Sequence, residues 1–301
     1  MSMEQQIQAA ADAIRSGNLV VIPTETVYGL AADATNETAV AKIFAAKGRP
    51  STNPLIVHVG SFAQASALVR EIPDWARDLV SRFWPGPLTL VLKSTGVIPY
   101  SVAGGLNTIA VRIPAHPVAL RLIAAADRPL AAPSANRFTK LSPTQVEHLD
   151  PTILSSVAAV LDGGPCEVGI ESTVVDATGD TPVILRSGVI SATDISETTG
   201  LRVTTAQNSV KSPGHHPRHY APRAELRIVE KITDSAAGLT FGPPGLGQVQ
   251  MPPSPLGYAT RLYAALHELD ELNPEYIEVE APPDTSVWEA VRDRLQRAAH
   301  R

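Results

Sequence analysis

The chain has 301 residues, of which 44% are hydrophobic, so it can bury the core of one large domain or of two smaller ones. A net charge of -5 argues against a general nucleic-acid-binding protein, because phosphate backbones attract basic surfaces. The single cysteine, Cys166, excludes an intrachain disulfide and a multi-cysteine zinc site. The sequence has no apolar run of roughly 20 residues and no signal-peptide pattern, so we expect a cytoplasmic protein.

Helical and strand-like segments alternate through the first two hundred residues. The apolar positions Ile7, Ala10, Ala11 and Ile14 predict an amphipathic helix, and Gly17 suits its end. Further helices are predicted to begin after Asn36, after Ser61 and at Pro73, and buried strands at 19–22, 55–59, 88–92, 108–113, 157–162 and 172–176. Because the spacing is too irregular for strict βαβ repetition, we expect an α/β domain with a mixed sheet.

The composition changes after Leu201, where apolar periodicity stops and polar residues, proline and glycine dominate. Beyond this stretch the sequence predicts a strand near Leu226, a helix with an apolar face, a strand near Tyr276 and a last helix from Val287. We therefore predict a first domain over 1–200, a linker over 201–223 and a small α/β domain over 224–301.

The usual nucleotide-binding glycine motifs are absent from the sequence, so a nucleotide site would have to rest on other residues. The segment PTETVYGL at 23–30 directly follows the first predicted strand. Pro23 ends that strand, which predicts Thr24, Glu25 and Thr26 on an exposed loop of the kind that carries sites in α/β folds. A polar turn without function explains the same pattern equally well.

A second group of polar residues follows the helix that ends at Lys47. Arg49, Asn53 and His58 come within eleven residues of it, after Gly48, which can take a left-handed C-cap. The two cations can bind phosphate, or they can simply complement the dipole at the end of the helix. His58 lies inside an apolar strand, where a core histidine is the commoner occurrence.

Two arginines, Arg112 and Arg186, interrupt strands that are otherwise apolar. A buried arginine needs an anionic partner, which can be a structural carboxylate or a carboxylate of the substrate. Small polar residues also occur at strand ends, among them Thr108, Ser134 and Ser142. The glycines in DGGPCEVGIEST at 162–173 permit close approach of the backbone to a ligand.

Taken together and in order, these segments resemble the YrdC-like family of threonylcarbamoyl-AMP synthases. The resemblance runs through PTETVYGL, KIFAAKGRP, NPLIVHV, WPGPLTLVL, NTIAVRIPAHP, APSAN and IESTVVD. SPGHHPRHYAP and the small second domain resemble the longer, two-domain branch. The resemblance implies a curved mixed sheet around a large concave cavity. It also implies formation of threonylcarbamoyl-AMP and pyrophosphate from L-threonine, bicarbonate and ATP, a product used in the threonylcarbamoyladenosine modification of tRNA.

The resemblance also assigns roles to residues. It implies contacts to L-threonine from Thr26, His58, Arg112, the backbone at Ala132, and Ser172. It implies contacts to ATP from Arg49, Asn53, Thr108, Ser134, Ser142, Arg186 and Tyr220. Lys47 and Arg49 are expected to offset the charge repulsion between the carbamate and the phosphates, which makes them the candidate catalytic residues. Mg²⁺ is expected to accompany ATP, held mainly by phosphate and water oxygens, with no dedicated ligands among the protein side chains.

The linker departs from the family pattern, which usually has SPGMKYxHYAP. His215, His216, Pro217 and Arg218 stand in its middle, whereas Tyr220 is retained. A linker that closes over the cavity as a lid is one interpretation, and a solvated segment with adventitious metal affinity is the other.

Two other functions remain open at this stage. An RNA-binding or ribosome-associated module would use a basic cavity lining on backbone phosphate, but it would need more basic and aromatic residues. A related carbamoyl transferase would share the fold. For the synthase, the product is expected to pass to a tRNA threonylcarbamoyl transferase system, without nucleic-acid or membrane binding by this chain. The sequence assigns no role to the second domain.

Overall fold

The computed structural model describes residues 1–206 and 218–300, and these form two α/β units, each with its own sheet. The α-helices are α1 (Met3–Arg15), α2 (Glu37–Lys47), α3 (Phe62–Leu68), α4 (Asp74–Phe83), α5 (Pro117–Ala126), α6 (Pro151–Leu154), α7 (Ala192–Thr199), α8 (Pro255–Glu271) and α9 (Glu289–Ala299). The strands are β1 (Val20–Ile22), β2 (Gly29–Asp33), β3 (Ile56–His58), β4 (Leu88–Lys93), β5 (Thr108–Arg112), β6 (Leu130–Ala131), β7 (Ala159–Val160), β8 (Thr173–Asp176), β9 (Val183–Arg186), β10 (Thr204–Thr205), β11 (Glu225–Val229), β12 (Ala237–Thr240), β13 (Gln248–Gln250) and β14 (Tyr276–Glu280). No helix in the two described ranges is long and apolar enough to cross a membrane.

Ten strands of the described residues form one large sheet in the order β10-β9-β8-β4-β5-β3-β6-β2-β1-β7. Parallel pairs such as β3 with β5 alternate with antiparallel pairs such as β4 with β5, so the predicted mixed sheet is confirmed. The short strand β10 pairs with β9. The large sheet therefore extends to Thr205, inside the segment that the composition predicted as linker.

The helix ends form as the sequence predicts. Asn36 accepts a hydrogen bond from the amide of Ala39 at the start of α2, and Gly48 closes that helix in the left-handed conformation with φ of 62°. Ser61 caps α3 in the same way as Asn36 caps α2. These caps fix where α2 ends and where α3 begins, and so help to position Arg49 and His58, which lie close to those two helix ends.

Several elements were not anticipated. Strand β2 begins at Gly29, inside the PTETVYGL segment that was predicted to form a loop. Helices α5 and α7 were not predicted at all. In the second domain, β13 lies within the Pro/Gly-rich stretch 242–257. These elements are short or lie next to proline and glycine, where periodicity gives little information.

The second domain has a parallel sheet in the order β11-β14-β12-β13, and α8 and α9 supply much of its core. That core is shared with the first domain, because Val27, Leu141 and Ile170 belong to the same buried cluster. Gly169 lies so close to α8 that a β-carbon there would approach backbone atoms of Thr260 to 2.5 Å. The two domains therefore pack tightly against each other beside the loops that follow β1 and precede β8.

Candidate active site

A cavity of about 560 Å³, counted with its open mouth, lies over one face of the large sheet at the junction with the second domain. Nine of the thirteen residues to which the resemblance assigns a role line it: Thr26, Arg49, His58, Arg112, Ala132, Ser134, Ser172, Arg186 and Tyr220. Four others, Lys47, Asn53, Thr108 and Ser142, do not line it.

His58 and Arg112 mark one side of the cavity. They are direct partners in the register of the parallel strands β3 and β5, and each is the last residue of its strand. Both residues therefore lie at the C-terminal ends of neighbouring strands. Arg112 is 3% exposed and donates to Gly86 O at 3.1 Å, to Thr26 Oγ1 at 2.9 Å and to Glu25 Oε1 at 2.5 Å. Of the two partners that the sequence left open for Arg112, the structural carboxylate is therefore present.

The loop that follows β1 is buried, and the prediction that residues 24–26 are exposed is wrong. Thr24, Glu25 and Thr26 are 2%, 4% and 1% exposed. The loop turns inward because its polar groups have internal partners: Thr24 Oγ1 donates to Val27 O at 2.6 Å, and Glu25 Oε2 accepts from the Ala115 amide at 3.0 Å. A polar loop is thus held rigidly as one wall of the cavity.

His58 is neutral in this environment. Burial, and secondarily the neighbouring Arg112, lower its pKa to about 3. Its Nδ1 is buried and has no hydrogen-bond partner in the part of the chain that the structure describes. A buried ring nitrogen without a partner is uncommon, and in the wall of a cavity it can be satisfied by a ligand.

Arg49 and Arg186 form a second group of cations in the lining of the cavity. Arg186 Nη2 donates to Ser172 Oγ at 3.0 Å, and Ser172 Oγ is in turn 2.8 Å from Thr89 Oγ1. Arg49 Nη2 donates to Pro54 O at 3.0 Å, while its Nε is buried without a partner among the described residues. Burial lowers the pKa of Arg49 to about 10, so it remains a cation at neutral pH.

Lys47 lies behind the cavity wall. Its Nζ donates to Ser134 O and to Asn136 O, both at 2.5 Å, and so it ties the end of α2 to the loop after β6. Burial, with a contribution from the nearby Arg49, lowers its pKa well below the usual value. In this conformation Lys47 supports the loop that carries Ser134.

The other three predicted nucleotide residues lie around the cavity's periphery. Thr108 begins β5, four residues before Arg112, which places it roughly 13 Å away along the strand. Asn53 lies just before Pro54, whose carbonyl Arg49 contacts, and the side-chain oxygen of Asn53 is buried without a partner among the described residues. Ser142 is fully buried and donates to Glu171 Oε1 at 2.6 Å.

Tyr220 closes one side of the cavity. It is 1% exposed and has a φ of 59°, a conformation that non-glycine residues rarely adopt. The amide of the next residue, Ala221, donates to Thr139 O at 2.9 Å, and the amide of His219 donates to Arg297 O at 3.2 Å. Both domains thus hold the end of the linker. His215, His216 and Pro217 lie outside the described residues.

Three polar residues at the cavity wall escaped the sequence analysis. Glu171 lines the cavity, and Tyr263 on α8 and Arg294 on α9 contact Glu171 from behind the wall. A signal for Arg294 exists, because it falls on the face of α9 that also buries Val291 and Leu295. A charged residue on an apolar helix face needs a partner, although the sequence does not name it.

Two further observations limit the chemistry. Cys166 is buried, does not line the cavity, and has its pKa raised by burial to about 12, so it is a poor nucleophile. Within residues 1–206 and 218–300 there is no group of three or more His, Cys, Asp or Glu side chains that could hold a metal ion. The described cavity is thus a cationic, hydroxyl-rich site suited to an anionic ligand.

Comparisons with known proteins agree with this architecture. A family model for Sua5, YciO and YrdC proteins, described as telomere recombination, matches residues 12–188. A second, described as threonylcarbamoyl-AMP synthase, C-terminal domain, matches residues 190–300. The threonylcarbamoyl-AMP synthase of Pyrococcus abyssi is 41% identical and that of Bacillus subtilis 40% identical, each over 98% of this chain and over 94% and 93% of the relative.

The solved structure of Pyrococcus abyssi Sua5 complexed with L-threonine is 40% identical and superposes with a TM-score of 0.90, covering 98% of this chain and 94% of that one. The fold and the cationic cavity define a protein of the Sua5, YciO and YrdC family, and the chain belongs to that family. Its matching second domain places it in the two-domain branch, with the threonylcarbamoyl-AMP synthases.

Proposed function

We propose that the chain is an L-threonylcarbamoyladenylate synthase, a nucleotidyltransferase that forms threonylcarbamoyl-AMP and pyrophosphate from L-threonine, bicarbonate and ATP. The observation that supports this most is the pair of buried nitrogens in the cavity wall, Arg49 Nε and His58 Nδ1, that have no partner among the described residues. Leaving such groups unsatisfied is costly, so a ligand with anionic and hydroxyl oxygens would stabilise the site.

The side of Arg112 and His58 fits the amino acid. Three named hydrogen bonds leave two of the five guanidinium hydrogens of Arg112 for a carboxylate. Thr26 and Ser172 supply hydroxyls near it, and the backbone at Ala132 completes this wall. The solved relative with bound L-threonine supports threonine as the amino acid.

The side of Arg49 and Arg186 fits the nucleotide. We assign them to the phosphates, with Ser134 and Tyr220 beside them, and we expect the rest of ATP to extend towards Asn53 and Thr108. Ser142 and Lys47 would then act from behind the wall, on Glu171 and on the Ser134 loop.

The proposed reaction has two steps. The neutral amine of threonine attacks carbon dioxide or bicarbonate and forms a carbamate, with loss of a proton or of water. A carbamate oxygen then attacks the α-phosphorus of ATP, and the bond from that phosphorus to the bridging oxygen breaks, releasing pyrophosphate. The second step brings two anions together, so the chain's contribution is positioning and charge stabilisation by Arg49, Arg112 and Arg186.

Mg²⁺ would enter with ATP, as part of that substrate. The residues present fit this better than a protein-held ion, because Glu171 in the cavity wall and Glu25 beside it already accept hydrogen bonds from arginines. An ion bound through phosphate and water oxygens needs no carboxylate cage.

The linker would serve as the lid of this site, with Tyr220 as its inner surface. The support is that Tyr220 is buried in the cavity wall while its backbone is anchored through Ala221 and His219. Protection of Arg218 from trypsin by ATP plus threonine would support the lid, and unchanged cleavage would count against it. The product, a mixed anhydride, would be consumed by a tRNA threonylcarbamoyl transferase system.

The decisive experiment incubates the protein with ATP, Mg²⁺, bicarbonate and L-threonine. We expect pyrophosphate release that requires both threonine and bicarbonate, together with the mass of threonylcarbamoyl-AMP. Turnover that needs carbamoyl phosphate would instead indicate the related carbamoyl transferase. Salt-dependent RNA binding without any pyrophosphate release would indicate the RNA-binding module.

A further inference from the structure

A buried carboxylate forms part of the cavity wall next to the proposed nucleotide side. Glu171 is 6% exposed and immediately precedes Ser172, which contacts Arg186. Its Oε1 accepts from Ser142 at 2.6 Å, and its Oε2 accepts from Tyr263 at 3.0 Å and from Arg294 Nε at 2.9 Å. Ser142 belongs to the first domain, whereas Tyr263 and Arg294 come from α8 and α9 of the second.

This carboxylate is an electrostatic problem for a nucleotide site. Burial alone would raise the pKa of Glu171, but the charges of Arg294 and Arg186 and the hydrogen bond from Ser142 hold it below its ordinary value. Glu171 is therefore an anion in the wall of a cavity proposed to receive a polyphosphate. A like charge in a poorly solvated site repels the ligand strongly.

Arg294 is buried to an unusual degree for a charged side chain. It is 1% exposed and has the largest volume among the fully buried side chains. Besides Glu171 it contacts Asp293 Oδ2 at 2.8 Å through Nη1, and its guanidinium carbon lies 5.0 Å from the ring centroid of Tyr220. Burying a guanidinium group costs free energy unless it is paired, and here Glu171 and Asp293 are its partners.

Arg186 and Arg294 both act on the charge of Glu171, but they come from different parts of the fold. Arg186 lies on β9 of the large sheet and lines the cavity, whereas Arg294 approaches from α9 and does not. Without Arg294, Glu171 would lose the cation that donates directly to its Oε2, and its negative charge inside the wall would be less well compensated.

We infer that Arg294 is a positioning residue for ATP: by pairing with Glu171 it neutralises the carboxylate in the wall, which would otherwise repel the polyphosphate. The second domain thereby completes the nucleotide side of the cavity. This inference rests on the proposed function, since it concerns the affinity of the same site for ATP.

The first test replaces the cation by a side chain of similar length, Arg294→Met. We expect the KM for ATP to rise at least tenfold, while the KM for threonine changes less than threefold, because Arg112 and His58 lie outside this network. Arg292→Met is the matched control: Arg292 lies on the same helix, and its partner Asp284 is exposed. Both KM values should stay within twofold of the wild type in the control.

The second test removes both charges in Glu171→Gln/Arg294→Met. If Arg294 acts by neutralising Glu171, the double variant regains an ATP KM within threefold of the wild type. A double variant as impaired as the single one overturns the inference, as does a single variant with an unchanged ATP KM. Should Arg294→Met fail to fold, Arg294→Lys and the double variant still decide, since the inference expects ATP affinity near wild type in both.

A pH profile separates this role from a merely structural one. In Arg294→Met, the groups left around Glu171 are Arg186, Lys47, Tyr220, Tyr263 and Ser142. Without its direct cation, the buried Glu171 takes up a proton more readily, and protonation removes the repulsion, so the ratio of variant to wild-type ATP KM should fall as the pH is lowered. A ratio that does not change with pH contradicts the inference.

Calorimetric titration with ATP alone distinguishes a failure of the proposed function from a failure of the inference about Arg294. A wild-type protein that binds ATP but releases no pyrophosphate with threonine and bicarbonate contradicts the proposed function. The order of ATP affinities among wild type, Arg294→Met and the double variant then still tests Arg294. Equal affinities in all three contradict the inference while leaving the synthase function untouched.

Discussion

Two buried arginine–glutamate pairs, each with one member in the cavity lining, have similar geometry but join different parts of the fold. Arg112 and Glu25 are 2.5 Å apart with side chains 3% and 6% exposed, and Arg294 and Glu171 are 2.9 Å apart with side chains 1% and 7% exposed. The first pair joins β5 to a loop of the same domain. The second joins α9 to the segment before β8, across the two domains.

The two sides of the site therefore depend on the fold in different ways. The side of Arg112 is assembled entirely from strands and loops of the large sheet, so its geometry is set within one domain. The side of Glu171 depends on donors from both domains. Threonine use and ATP use should therefore respond to different substitutions, which gives four ways to test the comparison.

The largest effect is expected from Arg112→Met. The change leaves Glu25 buried without its cation, which typically costs about 3–5 kcal/mol of unfolding free energy. It also removes the proposed contact to the threonine carboxylate, so the threonine KM should rise far more than the ATP affinity falls. Urea unfolding and pyrophosphate release measure the two effects.

Arg128→Met provides the control for that experiment. Arg128 is half-exposed and lies 3.5 Å from Asp33. An ion pair of this kind contributes about 0–1 kcal/mol, so stability and threonine KM should barely change. If Arg112→Met behaved like this control, the pair of Arg112 and Glu25 would not hold the threonine side together.

A smaller effect is expected at the domain contact, from Gly169→Ala. Gly169 has a φ of 77°, and its new β-carbon would meet backbone atoms of Thr260. We expect a loss of about 2 kcal/mol from backbone strain and overpacking, and a larger rise in ATP KM than in threonine KM. Gly179→Ala has nothing within 4 Å of the new atom, and its stability should change by less than about 0.5 kcal/mol. Equal KM changes for both substrates would show that the domain contact does not favour the nucleotide side.

On the threonine side, stability should also depend on pH through His58. Its folded pKa of about 3 lies below the ordinary value, so the stabilisation is present near neutral pH and is lost as pH falls and the unfolded chain takes up the proton. From pH 7 to pH 5 this costs about 2 kcal/mol. Urea unfolding at both pH values should show a weaker pH dependence in His58→Gln than in the wild type. Identical pH dependence would mean that His58 is not held neutral.

The smallest effect is expected from Tyr263→Phe. Glu171 loses the hydrogen bond from the Tyr263 hydroxyl but keeps Ser142 and Arg294, so the cost should be about 1 kcal/mol. The ATP KM should rise only slightly, because the charge on Glu171 remains neutralised. Tyr100→Phe, at a side chain 67% exposed, should leave stability unchanged. A loss as large as that of Arg112→Met would mean that the hydroxyl, rather than Arg294, holds Glu171.

Local chemistry made much of the fold predictable. Asn36, Gly48 and Ser61 set helix ends through their own side chains or backbone freedom, and the apolar runs around Val57 and Leu90 lie in buried strands. The same reasoning failed for the loop at 24–26. Its burial depends on Arg112, 87 residues after Glu25, and no local pattern carries that information.

The site was predictable in part for a similar reason. Arg112 and Arg186 attract attention because charge interrupts an apolar strand, and both line the cavity. Glu171 gave no such signal within a small-residue loop, and its partner Arg294 lies 123 residues later on another domain. The packing of the domains decides which carboxylate pairs with which arginine. A single sequence does not contain that information.

Because Glu171 and Arg294 are 123 residues apart in the sequence, the ribosome adds them to the chain at different times. At about 5–20 residues per second, the 123 residues between them take roughly 6 to 25 seconds to translate. During that interval the pair of Arg112 and Glu25 can already form, whereas Glu171 has no partner from α9. A growing chain would thus acquire its threonine side first, and its nucleotide side only after α9 has emerged and docked.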